Sequence, residues 1–168
     1  MATTPTPNEI VREFYSTFNE PIHEGAPSAT EEVISDERLS LKVSLIVEEV
    51  SELIDAAFSD EAGDQIRNAW KYCKKNGLLD NPRRDLVEML DAVLDIDVVN
   101  NGLAIETNMP IVEGLAEVHR GNMSKLDEDG NPIRSDGTDG YPKGKILKGS
   151  NYIAPDLLTV LLNNGYEA

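Results

Sequence analysis

Between Leu45 and Ile54 the chain reads Leu-Ile-Val-Glu-Glu-Val-Ser-Glu-Leu-Ile, placing three carboxylates in a segment that is otherwise apolar. At about 100° per residue, Glu48 and Glu52 fall on the same side of a helix as Leu41, Leu45 and Ala56, and Glu49 lies between that side and the main apolar stripe. Glu88, Asp91 and Asp95 repeat the oddity: spaced three and four apart, they share a helix face with Val87, Leu94 and Val98. A lone Glu on a helix is ordinarily solvated surface, but two acidic sets embedded in apolar faces call for another explanation. Carboxylates crowded into a partly dry groove repel one another and are driven toward the neutral form unless something positive sits among them. A divalent cation removes the conflict. Mg²⁺ takes oxygen ligands and is held by a few carboxylates together with substrate phosphates. Glu88 is the weakest member of the set, since an acid in the first turn of a helix is favoured by the dipole alone.

Other metal chemistry is poorly served. His23, His119 and Cys73 are too few and too far apart in sequence for a zinc site. Asp127-Glu-Asp-Gly-Asn131 fails as a calcium loop, because the sixth position, which needs Gly, is Pro132.

These acids need helices to position them, and the pattern supplies helices. After a short Thr/Pro leader, Asn8 caps a helix through about Asn19, with Ile10, Val11, Phe14, Tyr15 and Phe18 as its apolar face. A crossing loop from Pro21 to Thr30 precedes an acidic helical start at Glu31. Leu39, Val43, Ile46, Val50, Leu53 and Ala57 then follow in steps of four and three, one continuous stripe. Asp64 to Lys75 forms a short helix around Trp70. A further helix runs from Pro82–Asp85 through Asn101, with Gly102 as an interruption, and another from Pro110 to about Lys125. Asp127 to Ser150 is rich in Gly, Asp and Pro and reads as irregular with a small hairpin; Pro155 to Asn163 gives a last short helix. The expectation is an all-α bundle of four to five helices with an irregular C-terminal loop region, one domain over 1–168 with an ordered core from about 9 to 162.

Charge narrows the partners. Fifteen Lys and Arg stand against 31 Asp and Glu, a net charge of −16, which disfavours nucleic acid and anionic membrane as partners. No apolar run approaches the roughly 20 residues of a membrane helix. One Cys excludes an internal disulfide framework, and the first thirty residues show no signal sequence, so a cytoplasmic location is expected. Cations are the expected guests. A non-catalytic acidic helical module that recruits a basic partner is the alternative from a different class.

The acidic segments, together with Glu117-Val-His-Arg-Gly-Asn-Met-Ser-Lys-Leu126 and Lys148-Gly-Ser-Asn-Tyr-Ile-Ala-Pro-Asp156, resemble the MazG-like, all-α nucleoside triphosphate pyrophosphohydrolases, in particular the phosphoribosyl-ATP pyrophosphohydrolase-like branch. The resemblance runs from about Glu9 to Leu162. It implies hydrolysis of a nucleoside triphosphate to the monophosphate and pyrophosphate by a homodimer or homotetramer, with two or more Mg²⁺ or Mn²⁺ ions per site. By the same resemblance Glu48, Glu52 and Asp95 match metal ligands, and Glu49 joins the metals or activates the attacking water. One departure stands out: the acid that many relatives place three residues before Asp95 falls on Ala92, and Asp91, one earlier, substitutes for it. Asn122 and Lys125 match the end of the substrate-facing segment, Lys148 and Tyr152 would place a loop over the nucleotide, and His119 and Arg120 serve equally well as interface residues. Members of the family act on dUTP and damaged nucleotides, on phosphoribosyl-ATP, or, in phages and hence in the host cytoplasm, on dGTP or GTP. The short chain argues against the histidine-pathway role on phosphoribosyl-ATP; a deoxynucleotide is the expected substrate, with dGTP/GTP or dUTP leading.

Overall fold

The computed structural model describes residues 5–138 and 140–167; the first four residues of the Thr/Pro leader, one residue of the Gly/Asp-rich stretch and the last residue lie outside them. Among the described residues six helices follow in order: α1 Pro7–Thr17, α2 Asp36–Ala57, α3 Asp60–Lys75, α4 Leu86–Glu106, α5 Ile111–Met123 and α6 Leu157–Asn163. No strand forms among the described residues; the expected hairpin is reduced to one antiparallel bridge between Arg134 and Ile146. The fold is all-α. None of these helices is long and apolar enough to cross a membrane. The chain divides into two compact units, one built from the residues up to Glu24 and from Leu90 onward, the other from Gly25–Met89.

In the second unit α2 and α3 pack against each other as a hairpin. Ser35 and Ser59 cap the two N-termini by accepting hydrogen bonds from the Arg38 and Ala62 backbone N–H groups. The face that α2 buries is not the apolar stripe expected from the sequence. Leu41, Ser44 and Ser51 are buried, whereas Val43, Ile46, Val50 and Leu53 remain exposed. Polar pairs explain the difference. The Trp70 indole N–H donates to Ser44 Oγ (3.0 Å), and Arg67 donates to both oxygens of Asp55 (2.6 and 3.1 Å), so polar groups leave water only with partners. Gly63 makes the close approach possible: a Cβ there would lie 2.6 Å from the Ser51 carbonyl oxygen. The helical start expected at Glu31 is instead a turn, and α2 begins at Asp36. Arg84 locks the chain ahead of α4. Its guanidinium donates to Ala29 O (2.6 Å) and Ile34 O (2.8 Å) and pairs with Asp36, holding Arg84 at a left-handed φ of 54° that costs a non-Gly residue roughly 1 kcal/mol or more.

In the first unit α1 opens with a capping box. Thr6 accepts from the Glu9 N–H, and the Glu9 carboxylate accepts from the Thr6 N–H at 2.7 Å. The cap is therefore Thr6 rather than Asn8. α1 packs on α5, where His119 Nε2 lies 3.1 Å from Glu13 Oε2. At the other end Arg134, from the irregular tail, donates to Phe18 O (2.6 Å) and pairs with the buried Glu20, satisfying a carbonyl just past the helix end. α4 runs without a break through Gly102; only Ala104 is buried along it.

Candidate functional site

Glu48, Glu49 and Glu52 all lie on α2, within its final three turns. Glu48 is half-buried, while Glu49 and Glu52 are exposed. Their spacing of one and four residues puts Glu48 and Glu52 one above the other on the helix. Lys74 of α3 is the nearby cation: burial lowers its pKa, and the charge of Glu48 pulls it back up. Its ammonium also stands 5.9 Å from the centre of the Trp70 ring. Lys74 and Asp55 were not singled out from the sequence. Asp55 continues the acidic run three residues past Glu52, but Arg67 occupies it; only the antiparallel placement of α3 reveals either role.

Glu88, Asp91 and Asp95 project from α4 and are exposed. The Glu88 backbone N–H donates to Asp85 Oδ1 at 3.2 Å, so the helix start has a side-chain cap and Glu88 sits in its first turn, where the dipole favours it. Asp91 and Asp95 belong to the first unit, and Glu48, Glu49 and Glu52 to the second. Among the described residues no three His, Cys, Asp or Glu side chains gather closely enough to hold a metal ion. The donor chemistry of each helix, oxygen from carboxylates alone, is that of a hard divalent cation.

The remaining candidates come together in the first unit. Asn122 lies in the last turn of α5 and accepts a hydrogen bond on its backbone oxygen from Lys125 N (3.1 Å), and Gly149 N donates to Lys125 O at 3.1 Å. Gly149 passes so near that a Cβ would lie 2.6 Å from Leu126 O, which is why only glycine fits between Lys148 and the α5 terminus. Lys148 Nζ stands 4.6 Å from the centre of the Tyr152 ring. Ser124 Oγ accepts from Ile153 N at 2.9 Å, and Arg120 donates to Ala154 O at 2.9 Å. The two segments 117–126 and 148–156 are thus joined into a single structural feature, the Gly149 N–H next to Lys148 bonding the Lys125 carbonyl.

Glu117 clamps this feature. It accepts from Arg120 (2.7 and 2.9 Å) and from the Asp156 N–H (2.8 Å), and the guanidinium, with the backbone N–H second, holds its carboxyl at about 2 instead of 4.5. Because the folded value lies below the unfolded one, this stabilisation is complete above 4.5 and is lost as the pH falls from there through about 2. The melting temperature of the native chain is therefore expected to fall more steeply over that window than that of Glu117→Gln. Parallel slopes in the two melting series would show that Glu117 holds nothing in place.

Residues 11–122 match the sequence profile of the phosphoribosyl-ATP pyrophosphohydrolase (PRA-PH) family. The matched stretch contains Glu48, Glu49, Glu52, Asp91, Asp95 and Asn122, and ends before Lys125, Lys148 and Tyr152. Among solved structures, a candidate NTP pyrophosphohydrolase from Exiguobacterium sp. 255-15 aligns with a TM-score of 0.66 at 20% identity, covering 96% of this chain and 97% of the other. No curated protein matches.

Proposed function

Because the chain belongs to the phosphoribosyl-ATP pyrophosphohydrolase family, and is thus a pyrophosphohydrolase, we propose that it cleaves a nucleoside or deoxynucleoside triphosphate to the monophosphate and pyrophosphate, with dGTP, GTP or dUTP as leading substrates. The observation that carries this reading is the reach of the family match, which takes in both acidic helices. In this reading Glu48, Glu52 and Asp95, with Asp91 beside them, hold Mg²⁺ or Mn²⁺. When bound, the ions neutralise phosphate oxygens and polarise the α-phosphorus. The chain's own residues do the rest. Glu49 accepts the proton of the attacking water as its oxygen bonds to the α-phosphorus; the bond to the bridging oxygen breaks, and pyrophosphate leaves. Lys125 and Lys148 donate to phosphate oxygens as negative charge grows. Tyr152 and Asn122 border the same phosphate-facing feature. A cytoplasmic homodimer or homotetramer completes the proposal.

A chain of net charge −16 repels a triphosphate everywhere except where the sign is reversed, so turnover is expected to vanish in chelator and return with Mg²⁺ or Mn²⁺. The same coupling is visible without catalysis. Mn²⁺ should raise the melting temperature, and Mn²⁺ with a non-hydrolysable nucleotide at about 100 times its Kd should add roughly 5–10 °C. Melting curves that metal and nucleotide leave unmoved would favour an acidic module with no catalytic role. A panel of triphosphates assayed for pyrophosphate release identifies the base.

A further inference from the structure

The stretch from Lys148 to Asp156 forms neither helix nor strand, so its backbone N–H and C=O groups must find partners outside any regular ladder. The C-terminal half of α5 supplies them. Glu117 Oε1 accepts from Asp156 N at 2.8 Å, Arg120 donates to Ala154 O at 2.9 Å, and Ser124 Oγ accepts from Ile153 N at 2.9 Å. The Ser124 hydroxyl donates to Gly121 O at 2.7 Å, with Ile153 O 3.3 Å away, so this side chain receives from the strap while it bonds the helix end. Glu117, Arg120, Gly121 and Ser124 are spaced three and four apart, one stripe of the helix. Gly121 is buried, and a Cβ there would lie 2.8 Å from Pro155 Cγ. Pro155 therefore seats against a helix surface left bare for it.

We propose that Glu117, Gly121 and Ser124 are positioning residues, which fasten the 148–156 strap to α5 so that Lys148 and Tyr152 are in place before a triphosphate arrives. Lys148 directly precedes the Gly149 N–H that bonds Lys125 O, and Tyr152 directly precedes the Ile153 N–H that bonds Ser124. Each substrate-facing side chain thus has an anchored neighbour. Between the anchors the strap turns on itself, Tyr152 N donating to Gly149 O at 3.1 Å, and the Lys148 ammonium stands 4.6 Å from the centre of the Tyr152 ring. An irregular segment that a ligand had to order would subtract its conformational entropy from the affinity. One tied down beforehand does not. The inference rests on the proposed reading of Lys148 and Tyr152 and adds to it residues that act only through them.

The test measures the Kd of the full chain for a non-hydrolysable nucleoside triphosphate with Mn²⁺ by calorimetry, alongside hydrogen exchange at single amides. Ser124→Ala should speed exchange at the Ile153 amide about tenfold or more, with circular dichroism unchanged. The same variant should weaken the nucleotide about tenfold, the effect of leaving one strap amide without its partner. Ser124→Thr, which keeps the hydroxyl, should restore both. Gly121→Ala is the second arm: alanine favours the helix, so α5 keeps its helicity while the new methyl lifts Pro155 and weakens the nucleotide. In a background of Lys148→Met with Tyr152→Leu, Ser124→Ala should weaken binding by less than about twofold, because the groups it positions are gone. An Ile153 amide that stays protected in Ser124→Ala, tight nucleotide binding by a chain whose Ile153 amide exchanges freely, or equal losses in both backgrounds would overturn the proposal and leave the pyrophosphohydrolase reading standing. A native chain that does not bind the nucleotide with Mn²⁺ would overturn both.

Discussion

Glu48→Gln and Glu52→Gln should each lower turnover of the best nucleoside triphosphate by a hundredfold or more, while the helix content measured by circular dichroism stays unchanged. The two substitutions remove a charge and keep the shape. Loss of even an outer partner of a metal ligand costs roughly 10- to 100-fold, and a ligand itself costs more. Structure gives no reason for either variant to unfold. Glu52 is exposed, Glu48 is half-buried near Lys74, and α2 is held to α3 by Ser44, Ser51 and Asp55 instead. If pyrophosphate release persists at the native rate in both, these carboxylates do not hold the metal.

Gly63→Ala should be the most damaging small substitution in the α2–α3 hairpin. Alanine is the better helix former by about 1 kcal/mol, so on propensity alone the change would stabilise α3. Packing decides the sign. The new methyl would sit 1.9 Å from Asp55 Oδ1 and 2.6 Å from the Ser51 carbonyl oxygen, and while a carboxylate can swing away, a helix backbone cannot. The helices must separate, and the Asp55–Arg67 pairing, at 2.6 and 3.1 Å, is strained as they do. Overpacking of this kind costs about 1–3 kcal/mol or more beyond any propensity gain, a fall in melting temperature of roughly 2–10 °C. Gly102→Ala is the internal control. A Cβ there meets nothing within 4 Å, so the propensity gain should appear unopposed. If Gly63→Ala melts at or above the native temperature, the close approach of α2 and α3 is not what the glycine serves.

The residues themselves explain what sequence reading reached. Periodicity located the helices, because apolar steps of three and four are local and survive without knowledge of partners; the acids of α2 and α4 were found for the same reason. What α2 packs against was not legible. Its apolar stripe at Val43, Ile46, Val50 and Leu53 is the stronger pattern, yet α3 covers the weaker, polar one at Leu41, Ser44 and Ser51. That choice depends on Trp70 and Arg67, 26 and 12 residues away from the groups they meet, and on a glycine that one-dimensional patterns treat as a helix weakness. Thr6, by contrast, could have been read: Thr-x-x-Glu is a capping signature, passed over for Asn8. The segments 117–126 and 148–156 were both singled out, but their union was not. It is made by Glu117, Ser124 and Arg120 bonding to backbone groups some 30 residues on, which no spacing rule encodes. α3 was legible around Trp70, but it begins at Asp60 rather than Asp64, because Ser59 caps a first turn that carries no apolar stripe.

The most direct measurement is a crystal grown with Mn²⁺ and a non-hydrolysable triphosphate, with anomalous scattering used to locate the ions. The account predicts manganese bound by Glu48, Glu52 and Asp95, with the triphosphate on the same ions and Glu49 beside the α-phosphorus. Glu48, Glu52 and Asp95 pointing apart into bulk solvent, with manganese absent or bound elsewhere, would contradict it.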